Sequence, residues 1–163
     1  MFIVIEDGKL PTKGSEYAAC VDLFARKNLI IKAGETTLIP LGVRIDLSLL
    51  KKMKESDFIS EEELNLWIED FKHSHYLQLM LRSSLSKKLI IANGVGVIDL
   101  DYEDEIMIRV HNPIKENALL EDNTINIQQN DRVAQITILE HKVLLFNIST
   151  SEKRSGGFGS TGK

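Results

Sequence analysis

Arg132-Val133-Ala134-Gln135-Ile136-Thr137-Ile138-Leu139-Glu140 is an uninterrupted β-reading stretch, and it decides the fold class. It is rich in β-branched residues, opens after Asn130-Asp131 and carries no helical spacing. Alternation places Arg132, Ala134 and Ile136 on one face and Val133, Gln135 and Thr137 on the other. Working outward, the same signature recurs at Phe2–Ile5, Leu29–Lys32, Thr36–Ile39, Gly42–Leu47, Tyr76–Arg82, Leu89–Ala92, Glu105–Val110 and Val143–Ile148. Each run is short, rich in Ile, Val and Leu, and bounded by turn residues. Many short strands at regular spacing predict an all-β sandwich or barrel.

One segment departs from this pattern. Ser60-Glu61-Glu62-Glu63 reads as a capping box, with acidic residues at the positive end of a helix dipole. Leu64, Trp67, Ile68 and Phe71 follow at helical spacing, which predicts an amphipathic helix over residues 60–72. Lys51-Lys52-Met53-Lys54 before it reads as solvent-exposed. Residues 49–75 are therefore expected to form a small inserted module within one domain spanning 1–163.

Composition narrows the function classes. The chain has 163 residues, enough for one well-formed core. Its net charge of −4 argues against general nucleic-acid binding, which needs clustered positive charge. A small anionic ligand held by a few Arg and Lys remains compatible. Cys20 is the only cysteine, so an intramolecular disulfide or a cysteine-based zinc site is excluded. No apolar run reaches the roughly 18 residues of a membrane span, and the expected setting is cytoplasmic, that of a host cell if the chain is phage-encoded.

Four constellations carry chemistry. Asn93-Gly94-Val95-Gly96-Val97-Ile98-Asp99-Leu100-Asp101-Tyr102 offers two glycines for positive φ and close approach, predicting a tight hairpin with bare N–H and C=O groups. Asp99 and Asp101 share a face if the strand continues; taken alone, this is equally an ordinary hairpin with solvated carboxylates. Leu81-Arg82-Ser83-Ser84-Leu85-Ser86 suits a phosphate chain or a plain Ser-rich turn. Arg132 reads as a structural partner of carboxylates, and Gln135 as a polar contact in an apolar strand. Four of the ten glycines fall in the terminal stretch from Gly156 to Gly162. Lys153, Arg154, Phe158, Gly159, Ser160 and Thr161 stand among them, a composition that suits a phosphate cradle with an aromatic able to lie on a planar base.

In this order the segments resemble the five motifs of the trimeric dUTPase family, with a likeness to bacteriophage members that carry an inserted module. Ala18-Ala19-Cys20-Val21-Asp22-Leu23 is similar to the first motif, Arg82-Ser83-Ser84 to the second and Gly96–Tyr102 to the third. Arg132-Val133-Ala134-Gln135 is similar to the fourth and Gly157–Gly162 to the fifth. The resemblance implies a distorted jelly-roll β-barrel, assembled as a homotrimer, that hydrolyses dUTP to dUMP and pyrophosphate with Mg²⁺. It implies that Asp99 activates the water attacking the α-phosphorus. Asn93, Gly96, Val97 and Ile98 would read uracil, and Tyr102 would lie on the deoxyribose. Arg82, Ser83, Ser84 and Gln135 would hold the phosphates, while Asp22 would meet Mg²⁺ only through water. Residues 150–163 would be a flexible arm placing Phe158 on the base and Lys153, Arg154, Gly159, Ser160 and Thr161 around the terminal phosphate.

Three positions depart from the family pattern: Cys20 where Gly is usual, Leu81 where Pro is usual, and Lys153, beside Arg154, where Arg is usual. The alternatives are a dCTP deaminase of the same fold, or a dUTPase-fold regulatory protein that binds a protein partner through residues 49–75.

Overall fold

The computed structural model describes residues 1–115 and 123–146. The first half of the chain forms β1 (Phe2–Val4), β2 (Thr12–Lys13), β3 (Val21–Phe24), β4 (Leu29–Ile31), β5 (Thr36–Pro40) and β6 (Val43–Ile45). Two helices follow, α1 (Leu47–Lys54) and α2 (Glu61–Ser74). The second half forms β7 (His75–Leu81), β8 (Ile90–Ile91), β9 (Gly96–Asp99), β10 (Met107–His111), β11 (Ile125–Ile127) and β12 (Arg132–Glu140).

All pairings between these strands are antiparallel. The largest sheet has the order β2-β3-β12-β7-β9, and a smaller one the order β5-β10-β8. The pairs β1-β6 and β4-β11 complete a jelly-roll-like barrel with two short helices attached. Leu23, Leu77, Leu79 and Ile136 from the large sheet meet Ile39, Ile108 and Val110 from the smaller one, all buried in one core. Along β7 the pattern is regular: Leu77 and Leu79 are buried, while Tyr76, Gln78 and Met80 lie half-buried on the outer face.

β12 occupies the residues expected, with one irregularity. Its register against β3 shifts between Arg132 and Ala134, so Val133 and Ala134 are both buried. The simple alternation predicted for this stretch therefore holds only from Ala134 onward.

Several expectations are corrected. The run Val143–Ile148 is not a strand where it is described: Val143–Phe146 is a 3₁₀ turn. Asn93–Ile98 does not close a hairpin, because β8 pairs with β10 whereas β9 pairs with β7. That turn carries the chain from one sheet to the other. Asp101 lies in the turn after β9, so it does not share a strand face with Asp99.

The helices follow from local signals. Ser60 Oγ accepts the Glu63 N–H at 3.2 Å, and Glu63 Oε2 reaches back to the Ile59 N–H at 3.1 Å. Lys51–Lys54 forms the last turn of α1, which Asp46 caps at its start by accepting the Ser48 N–H at 2.9 Å. Hydrogen bonds from Ser48 hold the Asp46 carboxyl below the usual carboxylate range. Lys52 and Met53 are exposed as expected, but Lys51 is partly covered and pairs with Glu61 at 3.0 Å. No helix among the described residues is long and apolar enough to cross a membrane.

Candidate active site

The residues singled out from sequence fall into two groups along β7. At one end lies a charged cluster. Asp22, on β3, is 7% exposed, and its Oδ2 accepts from Arg82 Nη1 at 2.8 Å and Arg132 Nη1 at 3.4 Å. The expected carboxylate partner of Arg132 is thus Asp22. Gln135, three positions along β12 from Arg132, lies opposite both Asp22 and Met80. Arg82 follows β7, its N–H donating to the Val133 carbonyl at 3.2 Å. Its own carbonyl accepts from the Leu85 and Ser86 N–H groups, leaving Ser83 and Ser84 exposed on a tight turn. The arrangement presents guanidinium, hydroxyl and amide donors together, a suitable set for phosphate oxygens.

The second group surrounds a pocket of about 120 Å³, roughly four water volumes and the scale of one small planar ring. Asn93, Gly96, Val97, Ile98 and Tyr102 line it, five of the residues selected from sequence. Leu79, Ile91, Ile106, Met107, Ile108 and Arg109 complete the lining and carried no signal that set them apart from core or strand positions. Gly94 has φ of +78°, so the turn does need a left-handed residue there. Gly96 serves differently: a Cβ would stand 2.8 Å from Leu79 Cβ, so only glycine allows β9 to approach β7 at that point. Tyr102 is 7% exposed; its N–H donates to the Asp99 carbonyl at 3.1 Å and its hydroxyl to the Glu105 carbonyl at 3.1 Å. Asp99 ends β9, exposed, next to this pocket.

Asp99 pairs with Tyr76 at the start of β7, while Arg82 follows its end. Six residues of extended chain separate those positions by about 20 Å. One copy of the chain therefore does not bring the Asp99 carboxylate and the Arg82 guanidinium to one reacting centre. Among the described residues, no three His, Cys, Asp or Glu side chains gather as a metal cage. Lys153, Arg154, Phe158, Gly159, Ser160 and Thr161 lie outside the described residues.

Known proteins match both groups. The dUTPase family model matches residues 68–162, spanning both groups except Asp22. The chain is 32% identical to the deoxyuridine 5′-triphosphate nucleotidohydrolase of Rickettsia felis over 163 residues, covering 95% of this chain and 89% of that protein. The dUTPase of Streptococcus mutans superposes with a TM-score of 0.61 at 25% identity, covering 87% of this chain and 96% of its own. The dUTPase of phage phi11 of S. aureus, described with a species-specific insert, gives a TM-score of 0.61 at 18% identity, with 98% and 97% covered. At that identity the likeness concerns the fold. Family model, relative and architecture agree: the chain belongs to the dUTPase family.

Proposed function

We propose that this chain hydrolyses dUTP to dUMP and pyrophosphate, with water attacking the α-phosphorus. The observation that carries this reading is the pocket lined by Asn93, Gly96, Val97, Ile98 and Tyr102, with Asp99 at its edge. Backbone groups of β9 would read the uracil edge, and a polar mismatch there would leave buried partners unpaired, which discriminates strongly. Tyr102 would lie against the deoxyribose and leave no room for a 2′-hydroxyl. Asp99 would accept a proton from water aligned with the leaving pyrophosphate.

Arg82, Ser83, Ser84 and Gln135 would bind the phosphates, with Asp22 holding Arg82 in place. The separation of Asp99 from Arg82 supports a homo-oligomer, the trimer typical of the family, whose site combines the pocket of one copy with the charged cluster of another. Lys153, Arg154, Phe158, Gly159, Ser160 and Thr161 would close over that site from residues 150–163.

A hard cation of the kind the family uses is held mainly by phosphate and water oxygens. Mg²⁺ bound in that way would fix the triphosphate shape and neutralise charge. Asp22 would face it only through water, as the family resemblance implies, while its Oδ2 serves Arg82 and Arg132.

Pyrophosphate release measured across dUTP, dCTP, dTTP and UTP tests reaction, base and sugar together. Turnover of dUTP alone is the expected result; ammonia release from dCTP would replace this reading with a deaminase.

A second role, capture of a regulatory protein through residues 49–75, is favoured by the insert's apolar surface. Ile59, Met53 and Leu66 stand 97%, 74% and 67% exposed. A pull-down with the insert-deleted chain as control tests it.

A further inference from the structure

Tyr102 is held from behind. Its hydroxyl donates to the Glu105 carbonyl, and the Glu105 side chain is itself fixed by groups distant in sequence. Glu105 Oε1 accepts the Gly42 N–H at 2.8 Å, and Oε2 accepts Arg26 Nη2 at 2.9 Å. Arg26 Nε also stands 2.9 Å from Oε1 but is not aligned to donate, so that contact is an ion pair without a second hydrogen bond. Arg26 is tied to the same turn through its N–H, which donates to the Pro40 carbonyl at 2.9 Å. Beside them the Leu41 N–H donates to the Ile106 carbonyl, and the Ile106 N–H to the Val43 carbonyl. The wall of the pocket from Tyr102 to Ile106 is thus fastened to residues 40–43.

The fastening point requires glycine. Gly42 has φ of +68°, and a Cβ there would stand 2.4 Å from Gly8 Cα. The N–H offered to Glu105 therefore comes from a backbone that few other residues could adopt. The Glu105 side chain is 16% exposed and that of Arg26 30%, so the pair is only partly screened by water. Neither residue lines the pocket.

We propose that Arg26 and Glu105 are positioning residues that set the depth of the Tyr102 ring, and through it the preference for a 2′-deoxy sugar. The inference rests on the reading of this pocket as the dUTP site. Its physical basis is that a ring excludes a hydroxyl only when it cannot retreat. A shift on the order of 1 Å in a positioning group is enough to change rates by roughly 10²-fold. Glu105→Gln keeps an oxygen able to accept the Gly42 N–H but puts an NH2 group where Arg26 Nη2 now donates, so the Arg26 link is lost and the wall gains the freedom to move outward.

The test compares kcat/KM for dUTP and UTP in the assembled wild-type protein, Glu105→Gln, Arg26→Met and Arg26→Lys, with melting temperature followed in parallel. Glu105→Gln and Arg26→Met are expected to narrow the dUTP-to-UTP ratio by roughly tenfold or more, with KM moving further than kcat. Arg26→Lys keeps the charge with fewer fixed donors and should recover part of the ratio. Lower melting temperatures with an unchanged ratio in all three variants would overturn the positioning role. If Glu105→Gln and Arg26→Met do not fold, Arg26→Lys decides it by the same ratio. A wild-type protein that leaves dUTP intact would overturn the dUTP reading itself, and is seen before any variant is made.

Discussion

Arg82 donates to Asp22 Oδ2 across 2.8 Å, joining the end of β7 to β3 over sixty positions of sequence. Arg132 shares the same oxygen, so one carboxylate orients two guanidinium groups that would otherwise repel. Asp22→Asn leaves both cations without their counter-charge. The expected loss is about 1–3 kcal/mol of stability, reduced from the fully buried case because Arg132 is largely solvated. The KM for dUTP should rise more than kcat falls, if Arg82 binds phosphate as proposed rather than activating water. Melting curves and steady-state kinetics check both parts.

Asp99 lies at the exposed end of β9, beside the pocket. Asp99→Asn keeps the shape of the side chain but removes its capacity as a base. Turnover of dUTP should fall by about 10²–10⁴-fold. Retention of near-wild-type turnover in a folded assembly would refute the assigned role.

The placement of Asp99 and Arg82 at opposite ends of β7 makes a complementation experiment informative. Asp99→Asn and Arg82→Ala assemblies should each be inactive alone. Dissociated, mixed in equal amounts and reassembled, they should recover about a quarter of wild-type activity, because one site in four then pairs an intact Asp99 with an intact Arg82 from another copy. No recovery, with mixed assemblies demonstrated by mass, would place both residues in the same chain's site.

Gly94 and Gly96 separate two reasons for glycine. Gly94 has φ of +78° with open space around its would-be Cβ, so Gly94→Ala should cost about 1–2 kcal/mol of backbone strain. Gly96 has an ordinary φ but sits against Leu79, so Gly96→Ala should cost about 1–3 kcal/mol through overpacking. Only the second change pushes β9 into the pocket. Gly96→Ala should therefore weaken dUTP binding beyond what its melting temperature suggests, and Gly94→Ala should not.

The fold was most legible where β-branched residues ran unbroken, as in β12 and β7. It was least legible in short strands whose ends read as turns. β9 begins with a glycine and ends with an aspartate, and Val21–Phe24 contains the charged Asp22, so neither carries the unbroken β-branched signature. Val143–Phe146 misled in the opposite direction, since an apolar run without alternation does not specify strand pairing. Five residues of the pocket lining were visible because they are nearly contiguous in sequence. The clusters Asp22–Arg82–Arg132 and Arg26–Glu105 join residues 60 to 110 positions apart, and a single sequence holds no record of such pairings.

The inserted helices are joined to the barrel by an aromatic seam. Phe58, Trp67, Phe71 and His75 follow one another with ring centroids 5.6, 5.4 and 4.4 Å apart, and His75 is also the first residue of β7. Leu64, 2% exposed, is buried beside this seam. None of these residues lines the pocket beside Asp99 or joins the charged cluster. Trp67 is the only tryptophan of the chain, so its emission reports on the insert alone. Phe71→Ala should shift that emission to the red as the stack opens, while dUTP turnover stays within about twofold of wild type, the scale of a change remote from the reacting atoms. Removal of residues 52–73 should likewise spare hydrolysis in an intact assembly. A large loss of turnover in both variants would show that the insert supports the start of β7, where Tyr76 faces Asp99, and so takes part in building the site.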